Sequence, residues 1–202
     1  MSVVSPILSY NVCDVTRAGI RVVWVIDCSE VQDITIDPDT RIVTDVDLAP
    51  GSFYKRIEFE RDTAFLEQGK SVIKSSVNYV QLITIYEAGL NNEVRNALED
   101  LNRICCLHVI VEDNSGNKWY CGISYFQGFE TWQSEDMRTG DGYANSGADP
   151  STDSAEYLET FVANTFNYAL LTEIDPATEI GETAIFAEGG VVFAEGGVVF
   201  VN

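Results

Sequence analysis

The sequence predicts a mainly β protein: a two-sheet sandwich or barrel with one packed α-helix at about residues 92–104, an extended loop and a C-terminal arm. Three observations lead there. Short runs rich in Val, Ile, Tyr, Phe and Trp recur along the chain, each bounded by Asp, Asn, Gly, Pro or Ser; a single segment spaces its apolar residues at three and four; and the chain ends in a repeat. With 202 residues and 46% hydrophobic content, the chain has enough apolar material for one substantial core. The expected organisation is a β domain over 1–179 and an arm over 180–202.

The N-terminal half reads as strands at Gly19 to Asp27, Val31 to Ile36, Arg41 to Leu48 and Phe53 to Glu60. In the last of these, alternation places Phe53, Ile57 and Phe59 on one face with Lys55, and Tyr54, Arg56, Glu58 and Glu60 on the other, so the first face is expected on the core. Phe65 and Leu66 begin a further strand, with a turn expected at Gly69-Lys70. The run Val77-Asn-Tyr-Val-Gln-Leu-Ile-Thr-Ile-Tyr86 is β-branched and aromatic, the composition of a core strand. After Gly89, Asn91 or Asn92 can cap a helix whose Val94, Ala97, Leu98, Leu101 and Ile104 form one stripe. Glu99 and Arg103, four apart, are expected to pair. Cys105 to Glu112 returns to β-type residues, Asp113-Asn-Ser-Gly-Asn117 supplies turn chemistry, and Lys118 to Tyr125 returns as a strand. Phe129 to Met137 is expected as a strand. The Gly-, Asp- and Ser-rich stretch Arg138 to Ser154 is too long for a plain connection and is expected to reach a neighbouring subunit. Glu156 to Phe166 and Asn167 to Leu171 close the sheet.

The chain end repeats Phe186-Ala-Glu-Gly-Gly-Val-Val192 without change as Phe193-Ala-Glu-Gly-Gly-Val-Val199, and Phe200 starts a third copy. A seven-residue period suggests a coiled coil, but paired glycines cost a helix about 1 kcal/mol each. Short strands at Ala184 to Phe186, Val191 to Phe193 and Val198 to Val201 fit better. Their apolar edges would pair with another chain, which makes Phe186, Val191, Val192, Phe193, Val198, Val199 and Phe200 candidate assembly contacts. The plainer alternative is a duplicated, loosely ordered tail.

Charge narrows the function. The formal net charge is −20, and 11 acidic residues but no Lys or Arg follow Arg138. A protein that grips nucleic acid needs cations to displace counterions, so such a grip is excluded. A surface along which DNA slides is a different case, because there repulsion helps; the bland reading is a soluble acidic surface. No run approaches the roughly 20 apolar residues of a membrane helix and no signal-like segment stands at the N-terminus, so no membrane partner is expected and the chain is expected to be made in the cytoplasm.

Chemistry-bearing patterns are few. Cys13, Cys28, Cys105, Cys106 and Cys121 are odd in number and lack a CxxC pair, so neither a disulfide framework nor a zinc site is expected, and they read as small buried apolar residues. Cys106 and His108 share a strand face and raise the idea of an activated thiol, yet positions two apart lie roughly 6.5 Å apart along a strand. The sole histidine reads more simply as structural. Asp33, Asp37, Asp39, Asp45 and Asp47 could hold calcium but lack the spacing and glycine of a calcium loop, and a solvated turn accounts for them. No GxGxxG, P-loop, HExxH or GxSxG occurs, so no enzyme and no cofactor is expected.

The strand, helix, strand order, with Phe53-Tyr-Lys-Arg-Ile-Glu-Phe59 upstream, the block Ile110-Val-Glu-Asp-Asn-Ser-Gly-Asn-Lys-Trp-Tyr-Cys-Gly122 and a late Gly-rich loop, resembles bacteriophage tail-tube and related virion proteins, particularly those of phages of gut bacteria. The likeness covers about Ile20 to Leu171. It implies two sheets packed on one helix, hexameric rings stacked around a lumen that DNA crosses without specific binding, bridging loops and arms, and a place in the virion tail or neck. The C-terminal extension departs from a compact tube protein, so tube subunit, tail terminator and neck ring all stand, with other tail or neck proteins as partners. A reading of another class is a protein- or glycan-binding module using Trp119, Tyr125, Phe126, Phe129 and Trp132, aromatics that can equally be core.

Overall fold

The computed structural model describes residues 19–57, 59, 63–73, 76–88, 92–125, 132–134, 137–140, 143–145, 156–179, 181, 191–193 and 199–201. In chain order these form β1 (Ile20–Asp27), a 3-10 turn (Cys28–Glu30), β2 (Val31–Ile36), β3 (Val43–Leu48), β4 (Lys55–Ile57), β5 (Ala64–Ile73) and β6 (Ser76–Ala88). The helix α1 (Asn92–Leu101) follows, then β7 (Leu107–Asp113), β8 (Lys118–Cys121), β9 (Ile123–Tyr125), β10 (Trp132–Ser134), β11 (Arg138–Thr139) and β12 (Tyr143–Asn145). Last come β13 (Glu156–Thr165), β14 (Leu170–Leu171), β15 (Val191–Phe193) and β16 (Val199–Val201).

The molecule is mainly β, with antiparallel sheets and one short helix, and no sheet closes into a barrel among the described residues. A five-stranded sheet ordered β14-β8-β7-β1-β4 forms the middle layer. On β1, Val23 and Val25 face a first core shared with Ile83, Ile85, Phe161 and Ala163 of the sheet ordered β11-β13-β6-β5. Val22, Trp24 and Ile26 face a second core shared with Val31, Ile34, Val43, Val46 and Leu48 of the β2–β3 hairpin. The two-sheet sandwich therefore carries a third layer. Covered on both faces, β1 and β7 are buried almost throughout, where a half-solvated strand would alternate. A register shift between Ile20 and Val22 turns Ile20 onto the first core.

Several expectations shift. Leu101 and Ile104 do pack on the first core, but α1 stops at Leu101, and Arg103 and Ile104 close tighter turns onto Asp100 and Leu101. Arg103 pairs with Asp100 at 3.0 Å, while Glu99 lies 3.6 Å from Arg95. Asn91 lies outside the described residues, as do the side chains of Val94 and Ala97. No turn forms at Gly69-Lys70: β5 runs on to Ile73, which pairs with Ser76, because pairing with the long β6 continues past the glycine. The strand expected over Phe53 to Glu60 is described only at Lys55–Ile57. Ile57 and Phe59 meet the first core, but Phe53 is 53% exposed and Tyr54 is buried instead, its hydroxyl 3.1 Å from that of Tyr120. In Phe129 to Met137, only β10 and the buried Met137 are described. The polar stretch after Arg138 pairs in part on its own chain, since β11 and β12 both add to β13.

At the chain end β15 and β16 form an antiparallel pair, Val191 opposite Val201 and Phe193 opposite Val199. Phe186, Val198 and the strand expected at Ala184 to Phe186 lie outside the described residues.

Candidate functional site

Buried polar residues rarely gather without a task, and one such group sits where the two sheets meet. Gln81 on β6 is fully buried among the apolar residues of its strand. Its Oε1 accepts from Gly122 N at 3.1 Å, and its Nε2 donates to Thr165 Oγ1 and to Asn167 O, both at 3.2 Å. Thr165 Oγ1 donates to the same Asn167 carbonyl at 2.6 Å. Around them Phe166 N donates to Ser124 Oγ (3.0 Å), Tyr125 N to Asn167 Oδ1 (2.9 Å), Asn167 Nδ2 to Tyr168 O (2.7 Å) and Ala169 N to Gln68 Oε1 (2.7 Å). Four side chains besides Asn167's own, from Gln68, Gln81, Ser124 and Thr165, thus fix the backbone of residues 166–169.

What this frame presents is aromatic. Phe166 is 50% and Tyr168 47% exposed. Tyr79 meets Tyr168 edge-on, ring centres 4.6 Å apart, and Tyr125 completes the wall of a groove of about 290 Å³. Arg41, at the tip of the β2–β3 hairpin, is the charged residue of the lining. Its φ of 59° is left-handed, a costly conformation for a residue with a Cβ. The tip is built by Asp37, whose Oδ1 accepts from Asp39 N (2.8 Å) and Thr40 N (2.9 Å) while its carbonyl accepts from Arg41 N. Those backbone N–H groups hold the Asp37 carboxyl below its ordinary range. Asp37 is thus a turn-forming residue, and among the described residues no three His, Cys, Asp or Glu side chains converge on a metal position.

The cysteines depart from expectation. Cys28 and Cys106 form a disulfide across 78 positions of sequence. Asp27 pairs with Leu107 in the β1–β7 ladder, so the residues just beyond this pair face each other with Cα atoms 5.5 Å apart, inside the range a disulfide requires. With its sulfur bonded, Cys106 has no thiol for His108 to activate. His108 is fully buried edge-on to Tyr120, and burial lowers its pKa to about 4, opposed by the Asp27 charge. Cys105 is exposed; Cys121 is buried as expected, its thiol pushed up by burial, and Cys13 lies outside the described residues. Beside the disulfide, a cleft of about 430 Å³ sets Lys55, Arg56, Asp27, Glu30 and Asp100 over an apolar floor. Its charges have both signs.

Of the five aromatics weighed for a binding surface, Tyr125 lines the groove, and Trp119 packs on the first core with Nε1 donating to Asp113 Oδ2 at 3.2 Å. Phe126, Phe129 and the Trp132 side chain lie outside the described residues. Phe166, Tyr168, Tyr79 and Arg41 were not singled out by the sequence. The available signal was Thr165-Phe-Asn-Tyr168, two aromatics around a turn-former between apolar runs. No protein family, curated protein or solved structure matches the chain.

Proposed function

We propose that the chain is a virion structural subunit that joins copies of itself into a ring or tube of a phage tail, with a neck or terminator ring as its other station, and that it acts by docking and not by catalysis. The observation that carries this reading is the buried amide and hydroxyl frame behind Phe166 and Tyr168. The frame satisfies buried backbone groups and in doing so holds the two aromatics in place; anchors held rigid before binding lose little freedom on docking. Val72 and Val77, an exposed cross-strand pair near the end of the β5–β6 hairpin, add a second apolar contact surface. The net charge of −20 suits a lumen that DNA passes without sticking.

The test is negative-stain electron microscopy of the full-length protein across a salt series, with its mass in solution. Open-centred rings or tubes are expected; a monomer at every concentration and salt would overturn the proposal. The groove favours one other reading, a glycan-binding module in which sugar faces stack on Tyr79, Tyr125 and Tyr168. A monomer whose tyrosine fluorescence responds to one class of oligosaccharide would select it.

A further inference from the structure

Residues 166–170 form the groove at the Arg41 end of the β2–β3 layer. From there the chain joins β3 at its start: Val43 bridges Thr172, Thr172 Oγ1 donates to Val43 O at 3.0 Å, and Glu173 N donates to the same carbonyl at 3.0 Å. It leaves at the other end. Gly181 N donates to Ser52 O at 2.8 Å and Gly51 N to Gly181 O at 2.9 Å, just past the end of β3. The exit is closely fitted, because a Cβ on Gly181 would stand 1.8 Å from Ala49 O. Six residues of strand separate the two ends, roughly 20 Å at 3.3 Å per residue.

What leaves at Gly181 is chemically matched to the groove. The repeat carries Phe186-Ala-Glu188 and Phe193-Ala-Glu195, with no cation after Arg138, and the groove offers aromatic walls and Arg41 as its charge. Resting on the self-assembly reading above, we propose that the groove receives a Phe-Ala-Glu segment of the C-terminal repeat of a second copy: the phenyl ring packs among Tyr79, Phe166 and Tyr168, and the glutamate faces Arg41. The arm leaves its own chain at the end of the layer opposite the groove. Where two copies do not exchange arms reciprocally, such contacts are heterologous, and they propagate head to tail into rings when the rotation closes and into filaments when it does not. Two identical segments per arm let one arm engage in either register.

The experiment places a photo-reactive benzoylphenylalanine at Phe193 in the full-length chain, mixes isotope-labelled and unlabelled protein, and maps the cross-links. Links from position 193 of one chain to Phe166 or Tyr168 of another are expected. The variant Arg41→Glu should reduce them severalfold, as loss of one partly exposed ion pair does, and a partner carrying Glu188→Arg and Glu195→Arg should restore them. Oligomers cross-linked elsewhere, or links only within one chain, would overturn the arm contact while leaving assembly standing. A strict monomer without links would overturn both.

Discussion

His108 and Glu159 pull stability in opposite directions with pH. Buried His108 stays neutral down to about 4, while in the unfolded chain it titrates near 6.5. Acidification between those values protonates the unfolded state alone, so its contribution falls as pH drops. Glu159, on β13, is 7% exposed, its Oε1 has no hydrogen-bond partner among the described residues, and burial raises its pKa from 4.5 to about 7. The fold keeps a proton that the unfolded chain loses, so this contribution falls as pH rises from 4.5 to 7. The two slopes oppose each other between 4.5 and 6.5. Replacing Glu159→Gln removes one, and chemical denaturation should then show stability climbing through that window more steeply than in the native protein. At pH 8 the variant should be the more stable by about 1–2 kcal/mol, because it no longer ionises a buried carboxyl. A variant whose pH profile parallels the native one would mean that Glu159 is solvated in the fold.

At the scale of elements, the groove frame makes a separable prediction. Gln81→Leu keeps the volume but leaves the buried Gly122 N–H without its partner and the Asn167 carbonyl with its Thr165 bond alone, which should cost about 1–3 kcal/mol in thermal or urea melts and speed hydrogen exchange over residues 165–169. Unchanged exchange there would show that the frame does not fix the loop. The disulfide closes a loop of 78 positions, and Cys28→Ser with Cys106→Ser should lower stability by about 2–4 kcal/mol without altering the sheets. These same features mark where sequence reading stops. Strands β1, β2, β6, β7 and β13 and the helix were legible, because composition and periodicity are local. The Cys28–Cys106 bond, the third layer and the frame around Asn167 arise from pairings between distant segments, and no window of sequence contains them. Gly69 misled for a related reason: a glycine reads as a turn until a long partner strand is known to run past it. Phe53 misled as well, since its face depends on Tyr54 finding Tyr120 across 66 positions.

For the whole molecule, the proposed assembly predicts a body that folds without the arm. The two cores among the described residues already cover both faces of β1 and β7, so deleting Ile185 to Asn202 should leave a cooperative melt within a few degrees of the intact chain while lowering oligomer mass; an unfolded product would place the repeat inside the core. Salt then sets two electrostatic effects against each other. In the proposed assembly each arm contact gains from Arg41 facing a glutamate, an attraction that screening weakens, whereas copies of net charge −20 repel one another. The Debye length shrinks from about 10 Å at 0.1 M to about 3 Å at 1 M, so added salt removes mainly the longer-range repulsion and leaves apolar and short-range contacts in place. One ion pair per contact, partly exposed, contributes on the order of 1 kcal/mol or less, too little to outweigh a charge of this size on each partner. Light scattering across a sodium chloride series should therefore record assembly that strengthens with salt. Assembly that dissolves with salt would make the Arg41 contact the dominant force and would place the acidic residues away from every subunit boundary.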